Sequence, residues 1–195
     1  MLLSLLGNSG KMIAMYDQSA LHELIRSSAL KFGEFTLASG KKASYYLDCR
    51  QVTLDSAGAH QIAEGMLEKL AGHLPDLVGG MAIGADPITG AIITLAGARG
   101  TPLRGVMVRK EPKGHGTGKF VEGPYREGEQ LVIVEDVVTT GGSSLQAIER
   151  CEAVGLKVER VLAIVDRLEG GREAFESRGY RLDTLFTVKD FGIEV

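Results

Sequence analysis

Tryptophan is absent from the 195 residues, cysteine occurs twice, proline five times, and aromatics make up only 6%. Two cysteines, Cys49 and Cys151, neither build a disulfide framework nor show zinc-ligand spacing, so they read as small buried hydrophobes of a reducing cytosol. No apolar run approaches the about 18 residues that a membrane-crossing helix needs. A basic surplus is also missing, since the formal net charge is -3. General nucleic-acid binders carry such a surplus, so any anion gripped by this chain must be held by a local cluster. What the chain does have is a 44% hydrophobic share. That excludes disorder and suits one domain burying roughly 70% of its unfolded surface.

No fixed-period repeat, low-complexity tract or Pro/Ser linker divides the chain, so residues 1–195 are expected to form a single domain. Residues 1–15 stand apart as a weakly ordered extension. Met1 to Leu6 is apolar but has no positive n-region before it and no cleavage site after it, which excludes a signal peptide. Gly7 to Gly10 breaks any helix, and either Met12 or Met15 could be the start. A cytoplasmic protein is the expectation.

From Asp17, a good N-cap, the positions Leu21, Leu24, Ile25 and Leu30 keep helical spacing up to Gly33. Glu34 to Leu37 and Ala43 to Asp48 read as short strands around Ser39-Gly40, which places a helix and hairpin within 17–50. Asp55 or Ser56 caps a helix with the stripe Ala59, Ile62, Ala63, Met66, Leu67 and Leu70. Strands are then expected at Leu77–Ile83, Leu103–Val108, Leu131–Glu135, Val158–Val165 and Leu182–Val188. Helices fall between them at Pro87–Ala98, Ser143–Val154 and Gly171–Arg178, the first with Asp86 as its cap. Apolar strands alternating with amphipathic helices imply an α/β fold with a mostly parallel central sheet flanked by helices.

Ligands of such sheets bind beyond the carboxyl ends of the strands, where helix N-termini also point. The segment from Leu131 to Glu135 runs into Asp136-Val137-Val138-Thr139-Thr140-Gly141-Gly142-Ser143-Ser144. Its glycines let backbone N–H groups converge on an anion, and the hydroxyls add donors. Two carboxylates beside a phosphate cradle make sense if the ligand also offers hydroxyls or a divalent cation, as a phosphorylated sugar does. Neither GxxxxGK[ST] nor GxGxxG is present. A second loop, Arg109-Lys110-Glu111-Pro112-Lys113-Gly114-His115-Gly116-Thr117-Gly118-Lys119, gathers cations and glycines after a strand. It suits a moving cover that neutralises a diphosphate leaving group.

The first segment resembles the phosphoribosyl-diphosphate (PRPP) signature of the type I phosphoribosyltransferases. The second is similar to the catalytic loop of the orotate phosphoribosyltransferase family. So is Phe35-Thr36-Leu37-Ala38-Ser39-Gly40-Lys41-Lys42-Ala43-Ser44-Tyr45-Tyr46-Leu47-Asp48, which matches that family's hood segment. The resemblance covers roughly residues 17–190 and implies the type I fold with a small N-terminal helix/hairpin hood. It implies that Glu135 and Asp136 hold the ribose and that Val137, Val138, Thr139, Thr140, Gly141, Gly142 and Ser143 wrap the 5-phosphate. By the same token Arg109, Lys110, Lys113 and His115 engage the diphosphate, with Lys113, His115 and Asp136 as catalytic residues. Thr139, Tyr46 and Arg167, the last in Val165-Asp166-Arg167, are implied for orotate. Magnesium, a homodimer in which the 109–119 loop reaches the neighbouring site, and no nucleic-acid or membrane partner also follow from it.

Two departures stand out. Many relatives have Lys where this chain has Ala38, and a Tyr-Lys pair where it has Asp86-Pro87. Lys41 or Lys42 could replace the first. Asp86 is either a plain cap or a magnesium ligand, direct or through water. The implied reaction joins N1 of orotate to C1 of PRPP with expulsion of diphosphate, by positioning and electrostatics. His115 serves in it as a general acid or as a hydrogen-bond donor. A related enzyme using another base, or a PRPP-sensing regulator, are the alternatives.

Overall fold

The computed structural model describes residues 15–36, 42–112 and 119–195. Residues 1–14, residues 37–41 with Ala38 and Lys41, and residues 113–118 with Lys113 and His115 lie outside the described residues.

Helix α1, Gln18–Leu24, is capped by Asp17, whose side chain accepts from the Ala20 amide. One turn of π-helix, Ile25–Ala29, follows and ends the helical path before Gly33 is reached. Strand β1, Leu30–Thr36, therefore begins four residues earlier than the spacing predicts. Leu30 satisfies both the helical stripe and a buried strand position, so periodicity alone could not place the boundary. β1 pairs antiparallel with β2, Lys42–Leu47, as a separate two-stranded hood. A short helix α2, Arg50–Thr53, leads to α3, Ser56–Leu70, capped by Asp55 through the amides of Ala57 and Gly58.

The main sheet begins with β3, Leu77–Met81, and continues through α4, Ala85–Ala98, and β4, Arg104–Val108. Helix α4 starts two residues before Pro87, with Gly84 at its cap, so Asp86 lies in the first turn and is not the cap. Proline is tolerated throughout the first turn because those N–H groups have no helical acceptor, so it marks the turn and not its first residue. β5, Val121–Glu122, is a two-residue edge strand, too short to leave a pattern in the sequence. β6, Gln130–Val138, is followed by α5, Gly142–Glu152, then β7, Lys157–Asp166, α6, Gly171–Glu176, and β8, Arg181–Thr187. A 3₁₀ turn, Val188–Phe191, takes over where the last strand was expected to continue.

The strand order is β5-β4-β3-β6-β7-β8, parallel except for β5. Alternate side chains bury opposite faces. Val78, Val132, Val134 and Leu162 pack with Leu21 of α1, Ile62 and Met66 of α3, and Ile88 and Ile92 of α4. Leu77, Leu131, Ile133 and Val161 pack with Ile148 and Cys151 of α5 and Phe175 of α6. Both cysteines are buried and free, as expected. From β3 the chain steps to β4 on one side, then crosses back to place β6 on the other. The gap between β3 and β6 is thus a topological switch point, where a crevice opens at the carboxyl edge.

Candidate functional site: the crevice between β3 and β6

A cavity of about 450 Å³ fills this crevice. Its walls include Met81–Gly84 after β3, Lys110 after β4, and Glu135, Asp136 and Val137 near the end of β6. Tyr46, Asp48 and Arg50 from the hood side close it. β6 extends through Val138, past the Glu135 terminus expected from the sequence, because Val137 and Val138 still pair with Val165 and Asp166 of β7. The acidic pair is therefore held on rigid strand backbone and not on a loop. Successive strand residues point to opposite faces, and the two carboxylates differ accordingly: Glu135 is 6% exposed, whereas Asp136 is only half-buried.

The Glu135 carboxylate accepts a 2.7 Å hydrogen bond from the Ser144 hydroxyl, itself buried in the first turn of α5. Burial pushes Glu135 up to about 8; the Ser144 bond and the Asp136 charge act in opposite directions on top of that. Asp136 Oδ1 accepts from the Val137 amide at 2.8 Å. A Cβ at Gly84 would lie 3.1 Å from the same oxygen, so the turn after β3 presses its backbone onto this carboxylate. Asp48 is bound by Arg50 at 2.7 and 3.2 Å, and that hydrogen bonding holds its carboxyl below the usual range.

A smaller recess of about 150 Å³ adjoins, lined by Glu135 and by Val137 to Ser144. Gly141 has a φ of 78°, which a side chain would disfavour, and a Cβ there would meet Phe175 at 2.9 Å. With this bend the chain enters α5 so that the first-turn amides, lacking helical acceptors, surround the recess. Their partial positive charge favours an anion. Phosphate-sized space, amide donors and carboxylates thus meet at one strand end.

Comparison with known proteins bears directly on this geometry. No family model matches the chain. It is 58% identical over 184 residues to the orotate phosphoribosyltransferase of Rhodopirellula baltica, covering 91% of this chain and 95% of that one. The chain belongs to the orotate phosphoribosyltransferase family. The Aquifex aeolicus enzyme is 42% identical over 90% of this chain and 98% of its own length. The Mycobacterium tuberculosis orotate phosphoribosyltransferase, solved in complex with PRPP, is 34% identical with a TM-score of 0.78, over 90% of this chain and 99% of that one. The hood and type I fold expected of an orotate phosphoribosyltransferase are present.

Residues singled out by the sequence fall into three groups. Glu135, Asp136, Val137 and Ser143 line the main cavity with Tyr46 and Lys110, and Val138 to Gly142 line the recess. Arg167, just past β7, stacks on the Tyr45 ring at 4.8 Å, donates to its hydroxyl at 2.9 Å and pairs with Glu169 at 2.7 Å. Tyr45, not Tyr46, is thus its aromatic partner, while Tyr46 faces the cavity from the other side of β2. Arg109 pairs with Glu122 at 3.2 Å. Asp86 is set apart from the residues lining either recess; its Oδ1 is buried without a hydrogen-bond donor, and burial raises its pKa. His22 stacks on Phe191, His60 lies by Glu64, and His73 bonds Glu159, which accords with packing and surface roles. Sequence reasoning gave no role to Asp48 or Arg50, which line the main cavity; Ser144 stood in the phosphate-loop motif as a donor, but its bond to Glu135 was not foreseen.

Among the described residues no three His, Cys, Asp or Glu side chains converge as a metal cage. No described helix is long and apolar enough to cross a membrane.

Proposed function

We propose a residue-level account of how this orotate phosphoribosyltransferase works. The chain transfers the phosphoribosyl group of PRPP to N1 of orotate, giving orotidine 5'-monophosphate and diphosphate in pyrimidine biosynthesis. The observation that carries the site assignment is the meeting of Glu135 and Asp136 with the Thr139–Ser143 bend at the switch-point cavity.

In this reading the amides and hydroxyls from Thr139 to Ser143 bind the 5-phosphate. Glu135 and Asp136 accept from the ribose hydroxyls and favour positive charge developing at C1. Arg167 exchanges Glu169 for the orotate carboxylate, with Thr139 and Tyr46 beside the ring. Orotate reacts as its N1 anion: the N1–C1 bond forms on the face opposite the departing oxygen, and the C1–O bond breaks with its electron pair leaving on diphosphate. No protein nucleophile is required, so the chain contributes orientation and fixed charge. Lys110 and Arg109 stabilise the leaving diphosphate, joined by Lys113 and His115. A bound magnesium ion would supply charge neutralisation at the diphosphate end of the site. Asp136 would hold it at the cavity, and Asp86, outside the cavity lining, would act on it only through water.

The working unit is a homodimer whose 109–119 loop serves the neighbouring site. Mixing a Lys113→Ala chain with an Arg167→Gln chain should restore activity in hybrids; full inactivity of the mixture would refute the exchange. A magnesium-dependent assay with PRPP and a panel of bases, following loss of orotate absorbance, tests the reaction itself. Turnover of uracil or hypoxanthine without turnover of orotate would overturn the base assignment in favour of a sister enzyme. PRPP binding without any turnover would favour the regulator reading.

A further inference from the structure

Arg150 lies near the end of α5, the helix whose first turn frames the phosphate recess, yet it is far along the helix from that recess. Its guanidinium donates to the backbone carbonyl of Arg109 and, at 2.9 Å, to that of Lys110. The same group sits 4.3 Å from the centre of the Phe120 ring and 3.6 Å from the Met81 sulfur. One half-buried side chain thereby touches the end of β3, the segment leaving β4 and the segment returning to β5. The two segments are also zipped directly, since the Arg109 amide donates to the Phe120 carbonyl at 2.8 Å.

Arg150 itself has none of the roles already described. No ion pair with a carboxylate satisfies Arg150 among the described residues, so its charge is met by carbonyl dipoles and an aromatic face. A planar fork of donors suits two adjacent carbonyls, whereas a lysine offers a point charge and cannot both fork and stack. Lys110, whose carbonyl is one of the two acceptors, lines the main cavity. We propose that Arg150 is a positioning residue: it ties α5 to the ends of β3 and β4 and so fixes where Lys110 stands relative to the diphosphate end of the site. Arg150 itself touches no substrate. The proposal rests on the reading of Lys110 as a diphosphate group.

The test is a double-mutant cycle on PRPP kinetics with Arg150→Gln, Arg150→Lys, Lys110→Ala and Lys110→Ala/Arg150→Gln. Arg150→Gln should raise the KM for PRPP about tenfold, equivalent to about 1.4 kcal/mol, with the KM for orotate changed much less. Arg150→Lys should recover part of that loss. In the Lys110→Ala background the Gln substitution should add little, because residues acting through one another are non-additive. Equal effects on both KM values, or full additivity in the cycle, would overturn the proposal. Amide hydrogen exchange in the free protein gives a readout independent of turnover. Arg150→Gln should speed exchange at 109–112 and 119–122 while α5 keeps its protection. Unchanged exchange there would refute the tether, even if the enzyme used a different base. Wild-type chain inactive with orotate, but with the exchange effect intact, would instead count against the orotate reading alone.

Discussion

Glu135→Gln tests the burial of the carboxyl beside the phosphate recess. In the folded chain burial pushes the Glu135 carboxyl up to about 8, from an ordinary value of 4.5. Between those values the folded protein holds a proton that the unfolded chain has lost. Stability from this group is therefore complete below about pH 4.5 and is lost as pH rises, at about 1.4 kcal/mol per pH unit until the folded group ionises near pH 8. Only 6% of the residue is exposed, so solvent screening takes little from this effect. Glutamine mimics the protonated acid in shape and can still accept from Ser144, but it never ionises. Urea unfolding of both proteins from about pH 6 to pH 9.5 should show the variant gaining about 3 kcal/mol on the wild type, then a plateau. Other titrating groups are common to both proteins and cancel in the difference. If PRPP binds the ionised Glu135 carboxylate, as proposed, its binding near neutral pH should release more protons from the wild type than from the variant. A stability difference flat with pH would show Glu135 ionised throughout, and the burial argument would fail.

Under the proposed pairing of Arg167 with the orotate carboxylate, Arg167→Gln should raise the orotate KM by about 10–100-fold while sparing PRPP. Glu169→Gln, by releasing the 2.7 Å competitor of that arginine, should lower the orotate KM; steady-state titrations of each substrate decide both. Asp86→Asn should raise the magnesium concentration needed for half-maximal rate, and an unchanged requirement would remove Asp86 from the metal's surroundings. Gly79→Ala would thrust a Cβ to 2.1 Å from the Val106 carbonyl oxygen. It should cost about 1–3 kcal/mol or more in denaturant unfolding, as overpacked sites do.

Local signals were legible in the sequence where short-range chemistry dictates them. Asp17 and Asp55 both cap helices through the amides expected of aspartate, and the bend at Gly141-Gly142 opens α5 as its composition demands. Boundaries failed where a neighbour decides them. β6 runs on past its two carboxylates because β7 continues to supply partners, and no feature of residues 136–138 alone announces that. The pairing of Arg167 with Tyr45 joins positions 122 apart in sequence, so the motif gave the arginine but not which of two tyrosines faces it. Arg150 had no signal at all. Its acceptors are backbone carbonyls, which are blind to residue type, and they lie some forty positions away.

The order of strands separates the proposed substrate contacts along one edge of the sheet. Parallel neighbours stand about 4.8 Å apart, so the ends of β4, β3, β6 and β7, adjacent in that order, span roughly 14 Å. The groups proposed for diphosphate follow β4, the turn after β3 lines the cavity, the carboxylates proposed for ribose lie near the end of β6, and Arg167 follows β7. An extended pair of substrates laid across the carboxyl edge therefore meets each function on a separate strand. Strand ends so separated share few contacts, and changes at distant, unconnected sites tend to add. Substitutions after β7 should accordingly alter which base is accepted without loosening PRPP. A variant at Arg167 that lost PRPP affinity as strongly as orotate affinity would show the two ends to be coupled, and the strand-by-strand division of labour would have to be abandoned.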